Sequence, residues 1–131
     1  MRFSAHKFFY ILSITVFSVG CSQQVSYQND VKPIIDNNCI SCHDGKGQGS
    51  EASGFVLLTY DDLMKGTRYG QVVTPGNSLS STLYLMIDHQ VDPKIQMPPH
   101  HENVADGKMG PLTGAQINTI KTWIDQGAKN N

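Results

Sequence analysis

The sequence predicts an all-α fold: one small helical domain with long loops. Two observations carry this. Apolar residues recur at helical spacing in two segments, Leu83, Tyr84, Met86, Ile87 and Ile117, Ile120, Trp123, Ile124, each behind a residue able to cap a helix start. The stretches between are rich in Gly and Pro and hold little of the strict alternation that marks a strand. Length agrees, because 131 residues suit one domain better than two, and 39% hydrophobic content is ordinary for a folded chain.

The N-terminus reads as a targeting segment. Arg2, His6 and Lys7 form a basic start, and positions 8–19 are uncharged and mostly apolar, too short to span a bilayer and suited to a signal-peptide core. Residues 1–20 are therefore expected to be a signal peptide. Ser18-Val19-Gly20-Cys21 resembles a bacterial lipoprotein cleavage box, with Gly20 in place and Ser18 where Leu is usual. Acylation at Cys21 is expected, which would leave no odd thiol in an oxidising compartment; cleavage nearby without acylation is the alternative. Residues 21–29 then form a polar tether, and 30–131 the folded domain.

Within the domain, Asp30 can cap a helix starting at Val31, with Pro33 in its first turn and Val31, Ile34 and Ile35 on its apolar face, running into Cys39. Residues 44–54, with four glycines, are expected to be a flexible loop. Phe55 to Leu58 is a brief strand or a packed loop. Thr59 and Asp62 have the form of a capping box for a short helix through Leu63 and Met64, ending at Gly66. Thr74-Pro75-Gly76-Asn77 is a turn, and Ser78 or Ser80 can cap the helix carrying Leu83 to Ile87. Asp92 to Gly110 is again a loop. Thr113 and Gln116 form a second capping box, and Gly127 is the expected stop of the last helix.

The chemistry is carried by Cys39-Ile40-Ser41-Cys42-His43, a C-x-x-C-H sequence, the haem-attachment signature. Two thiols separated by two residues can form thioethers to the vinyl groups on one edge of a porphyrin, and the adjacent His is then carried under the ring to reach the iron. A Cys39–Cys42 disulfide or half of a zinc site are the alternatives. A structural zinc site wants four protein ligands, and no second Cys pair exists. The cofactor expected is one covalent haem c, with His43 as the proximal iron ligand.

The distal ligand must come from far along the chain. Met64, Met86, Met97, Met109, His89, His100 and His101 are candidates. Met97 is favoured, because Met97-Pro98-Pro99 lies in a loop whose backbone Pro restricts, and a stiff loop can hold a weak thioether against iron. Met64 and Met86 sit at helical spacing with Leu and Ile and fit a core better; a histidine ligand or an open site are the remaining options. His/Met ligation leaves no vacant position and suits one-electron transfer. A backbone carbonyl should accept the His43 Nδ1–H, with the turn at Pro75 as candidate. Net charge is −1, with no basic run or basic helix face, so no nucleic-acid partner is expected.

On these residues the chain resembles small monohaem class I cytochromes c of the planctomycete-type domain group. The resemblance runs through Val31-Lys32-Pro33-Ile34-Ile35, the C-x-x-C-H motif, 59–66, Gly70, Pro75-Gly76, 81–84, Met97-Pro98-Pro99, Leu112, Ile117, Ile120, Trp123-Ile124 and Gly127-Ala128. It implies a class I-like helical fold around one covalent haem, in which the helices at Val31–Asn37 and Thr113–Gln126 cross with Trp123 at or near the crossing. It also implies Met97 as distal ligand. The implied activity is electron transfer, not enzymatic catalysis, by a periplasmic or membrane-tethered protein with redox-protein donors and acceptors. A peroxidase-like haem enzyme and a redox or gas sensor with a displaceable Met97 are the alternatives.

Overall fold

The computed structural model describes residues 23–99 and 110–131; the signal segment, Cys21, His100, His101 and Met109 lie outside the described residues. Among those described there are six α-helices and no strands, only an isolated bridge between Thr67 and Gly70. The helices are α1 (Lys32–Asn38), α2 (Ile40–His43), α3 (Gln48–Ser53), α4 (Tyr60–Lys65), α5 (Thr82–Ile87) and α6 (Gly114–Asp125), with a π-turn at Tyr27–Val31 and 3-10 turns at Ser78–Ser80 and Pro93–Ile95. The all-α expectation holds. No described helix is long and apolar enough to cross a membrane.

The first helical segment starts a turn earlier than Asp30 suggests. Ser26 is the cap: its Oγ accepts from Asn29 N at 3.2 Å, and its own N–H donates to Asp30 Oδ2 at 2.8 Å. Asp30 thus closes a reciprocal cap from inside the turn, a pairing hidden by the one-residue shift from the usual box. The turn places Tyr27 and Val31 in the core, and α1 follows with Pro33 in its first turn and Ile35 buried.

The two expected capping boxes are both present, at Thr59/Asp62 on α4 and Thr113/Gln116 on α6, and Gly66 and Gly127 end them with positive φ. The cap of α5 differs from expectation. Asn77 caps the 3-10 turn, and Ser81 precedes α5 without a side-chain cap bond. The Ser81 hydroxyl is committed elsewhere, accepting from Thr74 N and donating to Asn77 O, both at 2.8 Å, which folds the expected Thr74–Asn77 turn against the start of α5.

Helix α6 packs on the Tyr27–Val31 turn rather than along α1. At that crossing Trp123, 1% exposed, lies 5.6 Å from the Tyr27 ring, and Tyr60 stands edge-on to Tyr27 at 5.1 Å. The Trp123 indole N–H donates to Lys129 O, so its polar edge is satisfied as a buried indole requires. Leu63, Val73, Ile120 and Ile124 complete this core beside the cavity described next.

Candidate functional site

Residues 44–54 are not the expected flexible loop. Asp44 Oδ1 accepts from Lys46 N and Gly47 N at 2.8 and 2.6 Å, an Asx turn whose backbone donors hold the carboxyl below its ordinary range. Gly45 takes φ +92°, and α3 follows, closed by left-handed Gly54. Glycine content argued against a helix, but close approach to α2 requires glycine here. A Cβ on Gly47 would lie 2.7 Å from Cys42 O, and one on Gly49 would lie 2.6 Å from His43 Cε1 and 2.7 Å from Nε2. The glycines let α3 press on the C-x-x-C-H turn.

His43 is fixed from three sides. Its carbonyl accepts from Leu57 N at 2.9 Å, its Nδ1 lies 3.0 Å from Phe55 O, and α3 backs the ring through Gly49. A carbonyl only accepts, so Nδ1 carries the proton, and in the neutral imidazole Nε2 is left as a bare donor atom. The carbonyl that meets His43 Nδ1 is therefore that of Phe55 and not one in the exposed Pro75 turn. Phe55 to Leu57 is a packed loop that offers His43 the Phe55 carbonyl and the Leu57 N–H, with Phe55 and Leu57 buried. No residue type marks a backbone acceptor, so the sequence held no signal for it.

Cys39, Cys42 and His43 line an apolar cavity of about 120 Å³. Leu57, Val72, Leu83 and Ile87 form its walls, and Met97, Pro98 and Pro99 line it as well. The sequence-selected residues 39, 42, 43 and 97 are thus brought to one cavity. Met86 also faces it, contrary to its expected core role, whereas Met64 packs against the core as expected. His89 lies past the end of α5, at φ +56°, and does not line the cavity.

The Met97 loop is tied to α5: Met97 N donates to Met86 O at 3.2 Å, and Gln96 Nε2 donates to the carbonyls of His89 and Val91, both at 3.3 Å. The two thiols are half-buried and not joined to each other. Burial, with lesser contributions from Cys42 and Asp36, pushes the Cys39 thiol up to about 12. Among the described residues no group of three or more His, Cys, Asp or Glu converges as a metal cluster. The donor set fits haem instead: paired thiols, an imidazole whose Nδ1 is taken by a carbonyl while Nε2 is left to accept, a thioether, and otherwise apolar walls.

The helical fold and the donor set at the cavity are of the kind that suits a haem held covalently by paired thiols. Residues 39–101 match the family model described as Planctomycete cytochrome C. No curated protein matches the chain. Among solved structures, the Kuenenia stuttgartiensis hydrazine synthase is similar in fold, with a TM-score of 0.51 at 23% identity over 79% of this chain. The chain spans 16% of the length of that protein's chain.

Proposed function

We propose that this chain is an electron-transfer cytochrome holding one haem, bonded through Cys39 and Cys42 and ligated axially by His43 and Met97. The reading is carried by one observation: these four side chains, selected for their chemistry from two distant segments, line the same apolar cavity. Haem, when bound there, supplies one-electron iron chemistry. The chain's own residues do the rest. Phe55 O and Gly49 orient His43, the α5 ties hold the Met97 loop, and the apolar walls exclude water, which favours the less charged reduced state. With His43 and Met97 both bound to the iron, small ligands would have no place to bind. The electrons pass to and from redox proteins on the periplasmic side, where residues 1–20 direct the chain and acylation of Cys21 tethers it to a membrane.

A pyridine haemochrome assay with intact mass on the isolated protein tests haem number and acylation together: one haem and a lipidated N-terminal Cys21 are expected. The oxidised spectrum should carry the far-red thioether-to-iron band, and Met97→Ala should abolish it and give high-spin iron with new peroxidase activity. A wild-type protein already high-spin and turning over peroxide would overturn the electron-transfer reading in favour of an enzyme.

A further inference from the structure

The acceptor that orients His43 is shared. Ser50, 5% exposed in the middle of α3, donates its hydroxyl to Phe55 O at 2.8 Å, on the same oxygen that His43 Nδ1 meets at 3.0 Å. The Ser50 oxygen in turn accepts from Gly45 N at 3.0 Å. The connected run is therefore Gly45 N–H to Ser50 Oγ, Ser50 O–H to Phe55 O, and His43 Nδ1–H to that same carbonyl.

The physics of this run has a sign. Donation from Gly45 polarises the Ser50 hydroxyl and makes it a better donor. Two donors on one carbonyl oxygen draw on the same lone-pair density, so Ser50 weakens the pull of Phe55 O on the His43 proton. A less strongly held Nδ1 proton leaves the imidazole less imidazolate-like, and a weaker donor to iron favours the reduced state.

We infer that Ser50 is a positioning residue that sets the donor strength of His43 by sharing the Phe55 carbonyl, and so raises the reduction potential of the site. The inference rests on the proposed role of His43 as iron ligand. The half-reaction is unchanged: one electron enters from a chemical mediator, ferric iron becomes ferrous, and no proton is bound or released by this group.

The test is potentiometry of the holoprotein. Ser50→Ala removes the donor, Ser50→Cys keeps a side chain of similar size with a weak S–H donor, and Ser50→Thr keeps the hydroxyl. Loss of one neutral hydrogen bond should shift the one-electron equilibrium roughly threefold toward the oxidised state, about 28 mV at ~59 mV per tenfold. Ser50→Ala and Ser50→Cys should both fall in potential with the far-red thioether band intact, and Ser50→Thr should stay at the wild-type value. Unchanged or raised potentials in Ala and Cys, or a Thr variant shifted as far as Ala, overturn the inference. A missing thioether band or missing haem in the wild type would instead sink the ligation proposal itself.

A second measurement needs no variant. Phe55 is the single phenylalanine in residues 23–131, so carbonyl-¹³C phenylalanine reports this one group in the processed protein. Its infrared band should lie below that of a singly bonded amide carbonyl in the same solvent. A band at the singly bonded position overturns the shared-acceptor reading.

Discussion

Gly49→Ala sets two opposing effects against each other inside one helix. By intrinsic propensity, Ala in place of Gly in α3 should stabilise by ~1 kcal/mol. By packing, the new methyl would sit 2.6 Å from His43 Cε1, 2.7 Å from Nε2 and 3.0 Å from Cys42 O, where ordinary contact begins at 3.4 Å. The ring cannot simply turn away, because Nδ1 is held on Phe55 O and the His43 carbonyl on Leu57 N. Helix α3 must back off, and it is anchored by Ser50 and by the Asp44 turn. Overpacking of this kind costs ~1–3 kcal/mol, which cancels or outweighs the propensity gain, so a net loss of up to ~2 kcal/mol is expected. The methyl also abuts Nε2, the atom proposed to bind iron, so the ligand field should be disturbed. Thermal unfolding of the holoprotein and its oxidised spectrum measure both effects. Gly114→Ala in α6, whose added Cβ meets nothing within 4 Å, serves as the control and should be neutral or slightly stabilising. A Gly49→Ala protein as stable as Gly114→Ala with an unaltered spectrum would refute the claim that α3 seats His43 by direct contact.

Trp123→Ala should cost ~3–5 kcal/mol, because it empties the centre of the Tyr27–Tyr60–Trp123 cluster, and denaturant unfolding would read it; a loss below ~1 kcal/mol would count against that cluster as the core of the crossing. Gln96→Ala removes both ties to the α5 C-terminal region, and the far-red thioether band should disappear at lower pH or temperature than in wild type, whereas identical titrations would show that the loop holds without it. The Lys121 ammonium and Ser78 N–H beside Asp125 hold its carboxyl below the ordinary range, so its contribution to stability is present above the unfolded aspartate pKa and lost as pH falls through the lower folded value. Asp125→Asn should therefore flatten the acid limb of the stability profile below about pH 4, and unfolding curves taken between neutral and acid pH check it.

Much of the fold was legible where local chemistry decides the structure. Thr59 with Asp62 and Thr113 with Gln116 cap helices through contacts made within one turn, and Gly66 and Gly127 end them because only a residue tolerant of positive φ fits there. Helix α3 was not legible, because its glycines oppose helix formation and only contact with Cys42 and His43 explains them. The start of α5 misled for a related reason: neither Ser78 nor Ser80 caps it, and the hydroxyl of Ser81, which precedes it, serves Thr74 instead. In the site, residues with reactive side chains announced themselves, while the groups that orient them did not. Phe55 acts through a backbone oxygen, which every residue possesses, and Gly49 acts through the absence of a side chain.

The clasp between Ser26, Tyr27 and Asn131 bears on how the polypeptide matures. Ser26 Oγ and Gln28 N both bond the Asn131 carbonyl, and Tyr27 N bonds its side chain, across about a hundred positions. Closing so long a loop is entropically slow to be repaid and awaits synthesis of residue 131. Until these bonds form, the Tyr27–Val31 turn on which α6 packs and the segment beyond α6 stay unfastened from each other.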